Sequence, residues 1–300
     1  PGQEVVIHPG VACGRCEFCQ RGDGALCTRI QFLGEHRDGT FAQWIQVPAA
    51  QVFPKPAHLG WAEAAALGDG AIQLAVLELR STAEGYEDYR QFHYLLGARE
   101  IIVTATPAGG LIDLNQASEE LLTGLFAGTG GLDAEQAAQL AHRVLAWRTP
   151  GLVVEAEDYA AAGVAFRPRG GPFEYPEDLL QVLGVDYDLY VRVRDLITVR
   201  GGGAGVAPKA ASEAVLTLLA GGDQALAAKI AHQRGEDPAT DFTALDHRFV
   251  GGGSAPVYRM EARVRIGDRS YVRTRWLDLS AGTPDGRPWR SFRVDAVIGN

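Results

Sequence analysis

Residues 112–148 read IDLNQASEELLTGLFAGTGGLDAEQAAQLAHRVLAWR, and a shortened copy of this stretch returns near the C-terminus. Ser118, Glu119, Leu121, Leu122 and Thr123 align with Ser212, Glu213, Val215, Leu216 and Thr217. After a glycine-rich turn, Asp133, Ala137, Ala138, Leu140, Ala141 and His142 align with Asp223, Ala227, Ala228, Ile230, Ala231 and His232. The offset falls from 94 to 90 residues across the turn, so the loop changed length while its flanks did not. Each copy reads as a short helix, a turn and a second helix. Ala137, Leu140, Ala141 and Val144 fall at i, i+3, i+4 and i+7, the pattern of one buried face. A unit this small cannot cover that face alone, which predicts paired helical hairpins.

Outward from the hairpins the pattern changes to strands. Glu100 to Thr106 (EIIVTAT) is rich in β-branched residues and is bounded by Pro107 and a glycine pair, so it reads as a strand. Ahead of it a helix is predicted from Ala64 to about Arg80, with Ile72, Ala75, Val76 and Leu79 on one stripe and Gln73, Glu78 and Arg80 turned away. Gly68 and Gly70 weaken its start by about 1 kcal/mol each relative to alanine. Glu84 to Leu96 is polar and aromatic. Between the hairpins, Glu155 to Ala162 reads as a short helix ended by Gly163, Pro176 and Gly184 bracket another, and Leu196 to Val199 reads as a strand. Gly201 to Gly205 is a flexible turn and Gly235 to Phe242 an acidic loop. The tail is β: Val257 to Ile266, a turn at Gly267-Asp268, Ser270 to Leu279, a turn over Thr283 to Pro288, and Trp289 to Ile298. Helices packed on an antiparallel meander make an α+β fold.

The 300 residues are 46% hydrophobic and 22% charged, which suits folded cores and excludes disorder as the default. The net charge of −9 falls wholly outside residues 1–62, which hold five basic and five acidic residues. An acidic body argues against nucleic acid or an anionic membrane as partner. No run approaches the length of a membrane span. The first residues show neither a leader pattern nor an initiator Met, so the sequence reads as a fragment.

All four cysteines lie between positions 13 and 27. Cys13, Cys16, Cys19 and Cys27 have the spacing C-x2-C-x2-C-x7-C, which can bring four thiolates to the corners of a tetrahedron about 2.3 Å from a zinc ion. Gly14, Gly22 and Gly24 supply backbone freedom for the approach. Four protein ligands leave no open position, so the site would be structural. Two disulfides in an exported protein are the other arrangement these cysteines allow.

With Gly2, Val5, Pro9, Cys13-Gly14-x-Cys16-x-x-Cys19, Gly22, Cys27, Gly34, Asp38-Gly39-x-Phe41-Ala42, Val47, Pro48 and Pro56, the first sixty residues resemble the structural zinc lobe of the zinc-containing medium-chain alcohol dehydrogenases and quinone reductases. The resemblance implies, as the alternative function, a truncated zinc-containing alcohol dehydrogenase or quinone oxidoreductase, and a four-thiolate site belongs in a reducing cytoplasm. That family's dinucleotide half does not follow: the nearest G-x-G-x-x-G, at Gly201-x-Gly203, has Val206 in the third place. Its catalytic zinc ligands fall upstream of Pro1 or in that missing half, so none is carried over and no enzyme activity is expected. The pattern stops near Trp61-Ala62-Glu63-Ala64-Ala65-Ala66-Leu67, where the chain reads as composite.

A second resemblance begins there. Ile112-Asp113-Leu114-Asn115-x-Ala117-Ser118, Trp147-Arg148, Asp158-Tyr159, Pro168-Arg169-x-Gly171-Pro172-Phe173, Glu177-x-Leu179-Leu180-x-Val182-Leu183-Gly184, Leu196-x-Thr198-Val199 and Val257-Tyr258-Arg259 resemble the K-class minor pseudopilin (GspK-like) of the bacterial type II secretion system, in the same order. Residues 70–80 resemble the lower part of that family's long N-terminal helix, whose apolar upper half is replaced here by the cysteine lobe. Val206-Ala207-Pro208-Lys209 stands where the family has two asparagines, and Thr149-Pro150-Gly151 follows Trp147-Arg148 in place of an acidic pair. The resemblance implies a non-enzymatic component of the pseudopilus tip on the periplasmic side of the inner membrane. Its implied partners are I- and J-class minor pseudopilins. The implied layout is a zinc lobe at 1–62, an α+β domain at 63–111 and 201–300, and a helical insert at 112–200. Calcium is also implied by the family; Asp237 and Asp241 could join carbonyls around it, but no D-x-D-x-D-G loop singles out ligands.

Other chemistry finds little support. Glycine turns between short helices occur in helix-hairpin-helix DNA-binding modules, but residues 127–132 and 220–222 contain no Lys or Arg, and Asp133 and Asp223 follow at once. No H-E-x-x-H or G-x-S-x-G run is present. His142 and His232 fall off the apolar stripe and read as solvated.

Overall fold

A helix with a single apolar stripe needs a sheet face to cover it, and the arrangement around residues 60–107 follows from that need. The computed structural model describes residues 5–7, 10–20, 27, 29, 31–33, 37, 45–48, 52–54, 60–81, 88–96, 99–150, 159, 169–237, 239–251, 256–280, 282–283, 289–295 and 297–299. The chain divides into two units, Pro1–Ala62 and Glu63–Asn300. In the first, β1 (Val5–Ile7) is followed by β2 (Gly10–Val11), the short helix α1 (Glu17–Gln20), β3 (Gln31–Phe32) and β4 (Val52–Pro54). β1 pairs antiparallel with β4, and β2 with β3.

In the second unit α2 (Gly60–Ser81) lies against an antiparallel sheet. The sheet comprises β5 (Arg90–Leu96), β6 (Arg99–Pro107), β9 (Val257–Ile266), β10 (Arg269–Asp278) and β11 (Arg290–Val294), in the order β11-β10-β9-β6-β5. Ala71, Ile72, Ala75, Val76 and Leu79 of α2 are buried, while Gln73, Glu78 and Arg80 are exposed. The predicted stripe is therefore the one that packs. Cross-strand rows Ile101–Val264–Tyr271, Val103–Ala262–Arg273, Ala105–Met260–Arg275 and Pro107–Tyr258–Leu277 carry the sheet's contribution, and their apolar members share one core with the helix. Gly68 is no casual weakness: a Cβ there would come within 2.8 Å of Arg273 Cβ, so glycine lets the helix approach the strand.

β6 and β9 are direct neighbours, paired from Ile101↔Val264 to Pro107↔Tyr258. Everything between them, residues 108–256, occupies the place of a hairpin turn. This segment contains β7 (Ile112–Asp113), α3 (Glu119–Gly128), α4 (Ala134–Arg148), a 3-10 turn at Pro176–Gln181, α5 (Tyr187–Val193), β8 (Ile197–Thr198), α6 (Glu213–Leu219) and α7 (Gln224–Glu236). Its core runs from Ile112 to Leu245 and takes in both hairpins, with Leu121, Leu122, Leu125 and Phe126 of the first and Val215, Leu216, Leu219 and Ile230 of the second. Residues on both sides of position 200 share this core, the second hairpin laying its apolar face on the first.

The repeat is preserved at the level of atoms. Ser118 Oγ accepts from the Leu121 amide at 3.2 Å and Ser212 Oγ from Val215 at 3.4 Å. Asp133 accepts from the Gln136 amide at 2.8 Å and Asp223 from Leu226 at 2.9 Å. These four N-caps fix where each helix begins.

The remaining differences are local. β5 and α5 form where no regular element is expected; α5 is begun by Asp186, whose carboxylate accepts from the Leu189 amide at 2.7 Å. The last strand is broken, since β12 (Ile298–Gly299) and β11 pair with β10 separately, with an irregularity between Trp276 and Leu277. The helix expected over 155–162 and the turn over 283–288 lie outside the described residues, apart from Tyr159 and Thr283. Among the described residues no helix is long and apolar enough to cross a membrane.

Candidate functional site

The first unit gathers its four cysteines. Their Sγ atoms all lie within 4.8 Å of one another. A zinc ion bound at about 2.3 Å by four thiolates requires sulfurs about 3.8 Å apart, so the cluster has the dimensions of such a site. Gly14, at φ 73°, turns the chain immediately after Cys13. α1 then carries Cys19 back, held by a 3.0 Å bond from the Gln20 amide to the Cys16 carbonyl. Cys16 Sγ and Cys19 Sγ are 3.4 Å apart. Cys27 is buried, and its sulfur accepts from the amides of Cys13 at 3.3 Å and Arg29 at 3.4 Å. Amide donors aimed at sulfur stabilise thiolate charge, as they do around bound metals. The Arg15 amide leads in drawing the Cys13 thiol down to about 6, whereas burial pushes Cys19 up to about 11. Such a set gains its full charge only when a cation arrives. Gly22 and Gly24 lie outside the described residues.

In the second unit the motif residues converge on a polar knot. β7 and β8 form a parallel pair, Ile112↔Ile197 and Asp113↔Thr198. The Asp113 carboxylate is buried; Oδ1 accepts from the Asn115 amide at 2.8 Å, and Oδ2 from the amides of Gly201 at 2.7 Å and Gly202 at 3.1 Å. Burial is the dominant influence and raises its pKa despite these donors. Asn115 clasps Phe173 from both sides, Oδ1 accepting from its amide at 2.7 Å and Nδ2 donating to its carbonyl at 3.0 Å. Arg148 donates to the carbonyls of Leu114 at 2.6 Å and Ala117 at 2.7 Å. Trp147 stacks on Phe173 at 6.0 Å, and Tyr159 Oη accepts from the Leu183 amide at 3.0 Å. These residues satisfy buried backbone groups and hold the insert together; their chemistry is structural.

The helix-to-sheet contact contains a cluster that sequence patterning leaves unseen. Asp69 lies between two arginines of β10: Oδ1 accepts from Arg273 Nε at 2.9 Å and Arg275 Nε at 2.6 Å, and Oδ2 from their Nη2 atoms at 3.2 and 2.7 Å. Burial raises the Asp69 carboxyl, but the bonds from Arg275 and Arg273 outweigh it, leaving the pKa below its ordinary value. Two arginines spaced two residues apart on an otherwise inward strand face are the available signal.

The helical hairpins give no phosphate cradle. Their turn amides are spent on the preceding helix, Gly130 and Leu132 on the carbonyls of Leu125 and Phe126, and Gly221 and Gly222 on those of Leu218 and Thr217. Asp237 and Asp241 cap their own loop, accepting from the amides of Ala239 and Thr243. His142 and His232 are exposed.

Comparison with known proteins finds a family match within the first unit. Residues 1–57 match the family described as Alcohol dehydrogenase GroES-like domain. Among individual relatives, sorbitol dehydrogenase of Bacillus subtilis (strain 168) is 45% identical over 65 residues, covering 21% of this chain and 18% of that protein. L-galactonate-5-dehydrogenase of Escherichia coli (strain K12) is 40% identical over 53 residues, covering 18% and 16%. The chain thus spans less than a fifth of these relatives' length. A solved NAD-dependent alcohol dehydrogenase is 57% identical over 19% of this chain and 16% of its own, with a TM-score of 0.18. A structure of the GspK-GspI-GspJ complex of the enterotoxigenic Escherichia coli type 2 secretion system covers 78% of this chain and 93% of its own, with 15% identity and a TM-score of 0.49. The family match is confined to the first unit, whose cysteine cluster fits a structural zinc.

Proposed function

We propose that residues 63–300 are the periplasmic body of a K-class minor pseudopilin, a non-enzymatic scaffold at the tip of a type II secretion pseudopilus. The observation that carries this reading is the ordered motif set from Ile112 to Arg259, of which Asp113, Asn115, Arg148 and Phe173 meet in one polar knot. The α2-on-sheet layout supports it. So do Leu74 and Leu77, which stand 39% and 53% exposed on the outer face of α2, where a helix-packed assembly would cover them. The partners are I- and J-class minor pseudopilins. Immobilised full chain should retain both from solution, and retention of neither sinks the reading.

For the lobe we infer one structural zinc on Cys13, Cys16, Cys19 and Cys27. Bound there, the ion would cross-link the loop and leave no position for substrate. Metal analysis of reduced protein should return one equivalent, and none would overturn it. A truncated zinc-containing alcohol dehydrogenase or quinone oxidoreductase is the second reading, favoured by the match of residues 1–57. It requires nicotinamide cofactor binding; calorimetry with NAD and NADP should give no heat. The two parts favour different compartments, because a four-thiolate site persists in a reducing cytosol whereas pseudopilin bodies face the periplasm.

A further inference from the structure

Between α2 and the outer strands β10 and β11 lies a cavity of about 260 Å³ whose wall includes Asp69, Gln73, Arg275, Trp289 and Arg290. Its polar groups are unevenly satisfied. Asp69 accepts four bonds from Arg273 and Arg275, which uses the lone-pair sites of both oxygens. No acceptor capacity remains there for a ligand's ammonium group. Donors do remain. Arg275 spends Nε and Nη2 on Asp69, and its Nη1 has no hydrogen-bond partner among the described residues. Neither Arg290 nor the Gln73 amide is engaged among the described residues. The charge is also unbalanced: the cavity wall carries two arginines, at 275 and 290, against one carboxylate, Asp69, which Arg273 pairs as well. Ile72 and Leu277 add an apolar surface beside the Trp289 ring.

We propose that this cavity binds a small organic carboxylate with an apolar or aromatic body. The carboxylate takes the free edge of Arg275, with Gln73 and Arg290 as further donors, and the body lies on Ile72, Leu277 and Trp289. A guanidinium suits a planar carboxylate in both geometry and charge. The volume is below the roughly 300 Å³ at which pockets for drug-sized ligands begin, which limits the ligand to about ten heavy atoms.

The test is calorimetric titration of the full chain with benzoate, benzamide, acetate and inorganic phosphate. Benzoate should bind one to one with a Kd below about 1 mM, at least tenfold tighter than any of the other three. Ser291 is an exposed cavity residue on the edge strand, so Ser291→Phe should fill the space and weaken benzoate at least tenfold while leaving the circular dichroism spectrum unchanged. Should that variant misfold, Arg290→Gln provides the same comparison with an expected loss of about threefold. Equal binding of benzamide would overturn the charge argument, and tighter binding of phosphate or acetate would overturn the carboxylate with an apolar body. Absence of benzoate binding, or binding unchanged in the folded variants, would overturn the site.

Discussion

The lobe at 1–62 and the body at 63–300 show two ways of fixing a chain. The lobe brings four sulfurs within 4.8 Å of one another, with Cys27 its one buried hydrophobic residue among those described. The body buries two large apolar cores, one between α2 and the sheet and one among the helices, and joins them to satisfied polar clusters. The first design concentrates stability in a ligand and the second spreads it over many side chains. Removing one component should therefore act very differently in the two regions.

The largest contrast should come from metal. A strong chelator should unfold the lobe, because structural zinc contributes about 10–16 kcal/mol to folding such units. Hydrogen exchange should then rise in residues 10–20 while protection in β6, β9 and α4 stays unchanged; loss of protection in both regions would break the comparison. Next is the knot. Asp113→Ala leaves three amides without their acceptor and should lower the body's stability by about 3 kcal/mol, measured by denaturant unfolding. The Asp69 fork should follow at about 2 kcal/mol for Asp69→Asn, since both arginines lose charge pairing at a partly buried site. Its pH dependence has a definite sign. The folded pKa of Asp69 lies below the unfolded one, so its contribution is present above about pH 4 and lost as pH falls through the folded value. The gap between wild type and Asp69→Asn should close on acidification. The smallest effects are those of the caps: Ser118→Ala and Ser212→Ala should each cost about 1 kcal/mol, and by similar amounts if the repeat is energetically as well as geometrically symmetric.

Much of this was readable from residues because the relevant signals are local. The stripe of α2 and the turn at Gly267-Asp268 each follow from a few neighbouring positions. The four cysteines announce their own convergence by spacing, with Gly14 in the turn. What stayed hidden depends on partners far away in sequence. The strand character of Arg90 to Leu96 rests on alternating Phe92, Tyr94 and Leu96 and on pairing with β6, a weak local signal beside a long-range partner. The repeat predicts that the two hairpins pair, but not which side chains of each meet in the shared core. Asn115 resembles an ordinary turn residue until Phe173 is placed beside it. Asp69 reads as a solvated helix position until Arg273 and Arg275 arrive from β10.

The adjacency of β6 and β9 carries a consequence for the order of folding. Their pairing cannot begin until the two ends of residues 108–256 meet, and closing so long a loop by chance is entropically costly. The helical segment removes that cost if it folds first, because its own parallel bridge at Ile112↔Ile197 and its contact between Val206 and Val250 draw the ends together. The sheet would then zip up late, from the Pro107↔Tyr258 end outward, on a template made by helices that contribute no strand to it.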